Sequence, residues 1–188
     1  MRSLFRQPAV WLSGFALLLY AWPALRVVQL SPDAVEYIDI ARRLVDGDGY
    51  QLGVKAYHFG GTEVLHDGLS ERAPLYPVLV AGLFSLGLGL PSIQLVNAVL
   101  AAASVALVYG LGCELFGRRT GALAGLLAAT SPVMLVRMVP PMTEALAIWL
   151  TLAATWLVVR YGRRGRTDAF LLAGAALGLS YLARPTAA

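Results

Sequence analysis

Long apolar runs divided by short polar turns organise this chain, and its chemistry gathers where that pattern breaks. Six segments are apolar: Ala9–Val28, Leu75–Leu90, Ser92–Phe116, Thr120–Met138, Met142–Val159 and Ala169–Leu182. A helix needs roughly 20 residues to cross ~30 Å of hydrocarbon. The third, fourth and fifth segments approach that length. The second has 16 residues, broken towards its end by Gly87, Gly89 and the following Pro91. At ~1.5 Å per residue it covers only ~24 Å. The pattern predicts an all-α polytopic membrane bundle. Asp33–Asp46 has a different period: Ala34, Ile38, Ala41 and Val45 recur at helical spacing, with Glu36, Asp39, Arg42, Arg43 and Asp46 off that stripe. It predicts an amphipathic helix lying in the interface, apolar face down, and ended by Gly47 and Gly49.

Composition sharpens the picture. The 188 residues are 58% apolar and 14% charged, against about 25% charged in a soluble domain. The basic balance is fourteen Arg and one Lys, Lys55. Most of it lies in short turns, which marks topology and not a nucleic-acid surface. Arg2 and Arg6 precede the 17-residue run Ala9–Leu25, and Ala21-Trp22-Pro23-Ala24 is a poor cleavage site. These features fit an uncleaved signal anchor with a cytoplasmic N-terminus in the plasma (inner) membrane. The loop 31–73 then lies outside, with eight acidic and four basic residues. Arg118-Arg119 and the four arginines between Arg160 and Arg166 favour the cytoplasm. Both reach it if Leu75–Leu90 is a re-entrant or interfacial half-helix, and Glu144 then shares the outer face with Asp33. The last segment stops at Arg184-Pro185-Thr186-Ala187-Ala188, which reads as the N-terminal part of a longer protein. Cys113 is alone, so it forms no intrachain disulfide.

Several residues admit both a structural and a chemical reading. Asp33 can cap its helix, with Glu36 closing a capping box; Ser31 with Pro32 at the first helical position is another start. Alternatively Asp33 is a general base. Asp46-Gly47-Asp48-Gly49 superficially matches a metal-binding Asp-x-Asp but reads as a turn. His58 and His66 read as loop histidines. Arg72, where the loop re-enters the membrane beside Glu71, is a natural phosphate clamp or a snorkelling side chain. Glu144 opens a helix that Thr143 could cap, yet an acid near membrane depth is a functional candidate; Arg137 either pairs with it or faces a lipid phosphate. Glu114 and Arg118 have the order of a helical ion pair. Gly121-x-x-x-Gly125 and Gly174-x-x-x-Gly178 predict close helix approach. The chain has no nucleotide-binding glycine loop, zinc spacing or Ser-His-Asp arrangement.

Five stretches together resemble the membrane-embedded glycosyltransferases that use polyprenyl-phosphate sugars: protein O-mannosyltransferases, lipid A aminoarabinose transferases and related galacturonosyltransferases. They are Pro32-Asp33-Ala34-Val35-Glu36-Tyr37 with Ile40-Ala41-Arg42, Arg72-Ala73-Pro74-Leu75-Tyr76-Pro77-Val78-Leu79, Leu115-Phe116-Gly117-Arg118-Arg119-Thr120-Gly121, Ser131-Pro132 with Met142-Thr143-Glu144-Ala145, and Leu182-Ala183-Arg184-Pro185-Thr186. The resemblance implies a GT-C bundle with further spans and transfer from a polyprenyl-phosphate donor to a lipid, glycan or protein acceptor at the outer face. It implies that Asp33 is essential, that Glu144 binds a divalent metal or orients the acceptor, and that Glu71 and Arg72 act together. Glu36, Tyr37, Arg72, Glu144 and Arg184 form the expected substrate site, and Glu71 with Glu144 the expected metal ligands. Membrane lipid is the surrounding partner; no nucleic acid is expected. The rival readings are a transporter-like polytopic protein and an inactive truncated remnant.

Overall fold

The structure is a computed structural model that describes residues 6–26, 30–53, 68–70, 72–162 and 165–185. Glu71, His58 and His66 lie outside the described residues. Eight helices are described: α1 (Arg6–Arg26), α2 (Pro32–Asp46), α3 (Leu75–Ser85), α4 (Leu90–Phe116), α5 (Arg118–Ala129), α6 (Pro132–Met138), α7 (Glu144–Tyr161) and α8 (Thr167–Ala183). Between α2 and α3 a two-residue antiparallel pair joins β1 (Gln51–Leu52) to β2 (Gly68–Leu69), with Gln51 opposite Leu69 and Leu52 opposite Gly68. The protein is an all-α multi-pass membrane bundle. α1, α4 and α7 are long and apolar enough to cross a bilayer, and α5 with α6 supplies a fourth crossing if the pair is one broken span. α8 is shorter, at 17 residues.

The expected span over 120–138 is two helices that meet at a 54° bend. Ser131 is extended (φ −68°, ψ 120°) before Pro132, which lacks an N–H and opens α6. The Tyr20 hydroxyl on α1 meets the carbonyls of Ala128 and Ala129, each at 3.0 Å, at the end of α5. The break thus keeps partners for backbone groups that lipid cannot satisfy.

The expected half-helix is shorter than 75–90. α3 has 11 residues, ~16 Å, far less than a ~30 Å hydrocarbon layer. It stops at a turn with Gly87 at φ 75°, and Leu90-Pro91 begins α4. α2 and α3 run side by side in the same direction: Tyr37 stands edge-on to Tyr76 with centroids 5.5 Å apart, and Arg42 lies 5.9 Å over Phe84. The apolar stripe of α2 therefore packs on protein. Ala34, Ile38 and Ala41 are buried, and Tyr37, Ile38 and Ala41 join a core with Tyr76, Val80, Ile93, Leu146 and Leu150. Only Val45, at the helix end, departs from that stripe and is exposed.

Two pairings that the sequence allows are replaced. Glu114 accepts a bond from Arg160 at the far end of α7, not from Arg118. A four-residue pair needs a continuous helix, and α4 ends at Phe116, with Gly117 at φ 93° before α5. Glu144 pairs with Arg184 and not with Arg137, which is exposed on α6.

The two glycine motifs diverge as well. A Cβ on Gly121 would stand 2.5 Å from Cys113 Sγ and 2.8 Å from both Cys113 N and Tyr109 O, whereas Gly174 and Gly178 have nothing within 4 Å. α8 meets α7 through Ser180, whose hydroxyl donates to Ala147 O at 3.1 Å; the glycine face points elsewhere. Gly121→Ala is expected to force α4 and α5 apart and lower stability by about 1–3 kcal/mol. Gly174→Ala is expected to be neutral or stabilising. Melting temperatures of the two variants in detergent test the contrast.

Candidate active site

The chemistry-bearing side chains collect where α1 and α8 end, α2, α3 and α7 begin, and α6 meets α7, beside Asn97 of α4. Local sequence explains how Asp33 comes to be available there. Ser31 is the N-cap of α2: its Oγ accepts from the Ala34 N–H at 3.2 Å, and Pro32 occupies the first helical turn. Of the two possible starts, the serine and proline make the cap. Asp33 is left with its carboxylate free for another partner. Three residues on, Glu36 rises from the same face of the helix.

Both acids converge on Arg72. Its Nη2 donates to Asp33 Oδ1 at 2.7 Å and its Nε to Glu36 Oε2 at 2.6 Å. The guanidinium carbon sits 5.5 Å from the Tyr37 ring centre. The arginine backbone is held as well: Tyr50 donates its hydroxyl proton to the Arg72 carbonyl at 2.8 Å, and the Arg72 N–H donates to Ser70 Oγ at 3.1 Å. Burial works against the charged guanidinium, but the bond to Glu36 and the charges of Glu36 and Asp33 outweigh it, so its pKa is raised. Burial likewise pushes the Tyr50 hydroxyl up to about 12. The two acids differ in access: the Asp33 side chain is 47% exposed and that of Glu36 only 5%. Asp33 can meet a ligand; Glu36 is committed to the arginine.

A second pair stands on α7 and the end of α8. Glu144 Oε1 accepts from Arg184 Nη1 at 2.6 Å. The other carboxylate oxygen, Oε2, is buried without a hydrogen-bond partner among the described residues. The Thr143 side chain makes no capping bond at the start of α7. Tyr37 and Tyr76 both sense Glu144. Burial raises each hydroxyl's pKa, and the nearby Glu144 charge adds to the rise. Ser31 Oγ also reaches Met142 Sδ at 3.1 Å. The structure thus brings together Asp33, Glu36, Tyr37 and Arg72, and sets Glu144 with Arg184 beside them.

The same region holds two residues, Tyr76 and Asn97, that are not among the expected site residues. Tyr76 is fully buried, and its hydroxyl accepts from Asn97 Nδ2 at 3.0 Å. Asn97 is fully buried in α4 and also donates to the carbonyl of Met142 at 3.2 Å and to that of Pro140. A signal was present in the sequence: an amide inside an otherwise apolar span is a functional candidate by default.

The described residues do not make a metal centre. No three of their His, Cys, Asp and Glu side chains gather as ligands. Asp33 and Glu36 face Arg72, and Glu144 offers one oxygen while Arg184 holds the other. Glu71, the second expected ligand, is outside the described residues.

A family model described as dolichyl-phosphate-mannose-protein mannosyltransferase matches residues 71–188. The chain belongs to that family. No curated protein and no solved structure matches the chain. The family match spans α3 to α8 and includes Arg72, Glu144 and Arg184, while α2 lies before it. Arg72 is therefore the physical link between the matched region and the two acids of α2. At the level of the family, the chemistry is glycosyl transfer from a polyprenyl-phosphate sugar by a multi-pass membrane protein.

Proposed function

We propose that this cluster transfers a sugar from a polyprenyl phosphate to a lipid, glycan or protein acceptor at the outer face of the plasma membrane, with inversion. The supporting observation is the half-exposed Asp33 carboxylate, held by Arg72 beside the Glu144–Arg184 pair. The acceptor oxygen or nitrogen attacks the anomeric carbon from the side opposite the phosphate. The bond from that carbon to the phosphate oxygen breaks, and its electron pair leaves with the polyprenyl phosphate. Asp33 takes the acceptor's proton.

The arginines divide the remaining work. Two donors of Arg72 are already bound to carboxylates, and Asp33, Glu36 and Arg72 together carry one net negative charge. Arg72 thus acts chiefly by aiming Asp33. Arg184 has the more accessible side chain, 41% exposed against 33% for Arg72, so it is the better partner for the leaving phosphate. Tyr37, beside Arg72, and Glu144, beside Arg184, orient the acceptor. Carriers that move a charged substrate place ionisable groups within their spans. Here Glu114, Glu144 and Arg160 stand near helix ends, which favours a surface reaction over transport.

The reading requires residues 33, 72 and 144 to face away from the cytosol. Cysteines introduced singly at these positions in a Cys113→Ser background are expected to react with an impermeant thiol reagent added outside intact cells. A position that reacts only after the cytosolic side is opened overturns it. The anomeric configuration of the product, read by NMR, is expected to be opposite to that of the donor.

A further inference from the structure

The candidate site is built in two halves carried by different parts of the fold. One half is α2 with the entry to α3, carrying Asp33, Glu36, Arg72 and Tyr76. The other is the start of α7 with the end of α8, carrying Glu144 and Arg184. Their catalytic use demands a fixed separation, because reacting groups a fraction of an ångström out of place lose rate steeply.

Asn97 touches both halves from a third element. It stands seven residues into α4, so it lies ~10 Å along the helix from its start. One side of its amide meets the Tyr76 hydroxyl of the first half at 3.0 Å. The same nitrogen meets the Met142 carbonyl at 3.2 Å and the Pro140 carbonyl, in the segment that leads into Glu144. That segment is short of donors: the Met142 N–H bonds back to the Pro140 carbonyl at 2.7 Å, and Asn97 supplies a further donor from outside. Pro140 and Pro141 have no N–H, and the helical ladder is interrupted between Met138 and Glu144. The two carbonyls, which can only accept, fix the amide's orientation, since the reverse would set its oxygen against both. The consequence is that Asn97 Oδ1 is buried without a partner among the described residues. A side chain chosen for stability alone would not leave an acceptor orphaned in an apolar span. The asparagine serves the geometry of what it holds.

We infer that Asn97 is a positioning residue that sets the depth of Tyr76 and of the turn before Glu144, and so the distance between the two halves of the site. The kinetic part of this inference rests on the glycosyl-transfer reading; the geometric part does not. The test uses the full chain, reconstituted in lipid, with Asn97→Leu and a control. Ser104→Ala is that control: Ser104 is equally buried in α4 but bonds only to Leu100 O of its own helix, at 2.9 Å.

Spin labels at two exposed positions, through Val45→Cys on α2 and Ile148→Cys on α7 in the Cys113→Ser background, report the separation. The distance distribution is expected to broaden or shift in Asn97→Leu and to stay unchanged in Ser104→Ala. An unchanged distribution in Asn97→Leu, or an equal change in the control, overturns the inference. If Asn97→Leu does not fold, Tyr76→Phe removes one of the same bonds with almost no change of volume, and its distribution decides in the same way. In transfer assays Asn97→Leu is expected to lose about 10–100-fold in kcat with the acceptor KM nearly unchanged. Combined with Asp33→Asn it should add little further loss, since residues acting as a unit are not additive. Full additivity counts against a positioning role. If the labels move but the unaltered protein transfers no sugar from any polyprenyl phosphate, the positioning role stands and the proposed reaction fails.

Discussion

Asp33→Asn is expected to reduce sugar transfer by about 10²–10⁴-fold, the usual contribution of a positioned general base. The substitution removes the proton acceptor and little else. Asparagine has nearly the same volume, and its carbonyl oxygen can still accept from Arg72 Nη2, which meets Asp33 at 2.7 Å. Since Ser31 caps α2, the helix start does not depend on Asp33. The melting temperature should therefore change little, and donor KM should hold. Glu36→Gln makes the comparison sharp. Glu36 stands on the same arginine but is buried, so a ligand cannot reach it as it can Asp33. Its loss should appear mainly in stability. The measurement is turnover of a radiolabelled polyprenyl-phosphate sugar by the full chain in vesicles, with melting curves run in parallel. Unchanged turnover in Asp33→Asn removes Asp33 from the mechanism, and a larger loss in Glu36→Gln would exchange their roles.

Hydrophobic pattern made much of this architecture legible. Apolar runs of spanning length placed α1, α4 and α7 within a few residues, because lipid demands that backbone groups bond within their own helix. The re-entrant reading of α3 rests on length and charge, and α3 has 11 residues. Helix termini were less legible where two residues competed. Ser31 and Asp33 are both good caps, and only the placement of Pro32 in the first turn separates them. The bend at Ser131-Pro132 was visible as a dipeptide, but apolar composition runs through it without a break.

Side-chain pairing was hardest to read, for a physical reason. Arg72 and Asp33 are 39 positions apart, Arg160 and Glu114 are 46 apart, and Asn97 and Pro140 are 43 apart. Sequence spacing predicts neighbours on one helix, whereas these pairs depend on which helix ends share an end of the bundle. That is why Glu114 was matched with Arg118, its neighbour in sequence, and Arg137 was one candidate partner for Glu144. The resemblance named residues that the structure brings close to one another, Asp33, Glu36, Tyr37 and Arg72 with Glu144 and Arg184, but not their connections. Residue chemistry alone reads Arg72 as a phosphate clamp, while the geometry gives two of its donors to carboxylates.

That connection makes Arg72 the position with the largest expected effect on stability. Arg72→Met keeps the aliphatic length but leaves Glu36 buried without its partner; the Glu36 side chain is 5% exposed. Breaking a buried pair from one side costs about 3–5 kcal/mol. The half-exposed Asp33 contributes less, at most about 1 kcal/mol, because solvent screens it. For a chain of this size the loss corresponds to a fall of roughly 6–20 °C in melting temperature. Arg72→Lys should recover only part of it, since an ammonium cannot reproduce the planar fork that reaches both acids. The decisive comparison is Arg72→Met with Glu36→Gln. With the buried charge gone, the double variant should be more stable than Arg72→Met alone, a coupling that a double-mutant cycle reads directly. Equal melting temperatures for the double variant and Arg72→Met would mean that the Glu36 charge was never at risk, and that Arg72 supports the fold by packing alone.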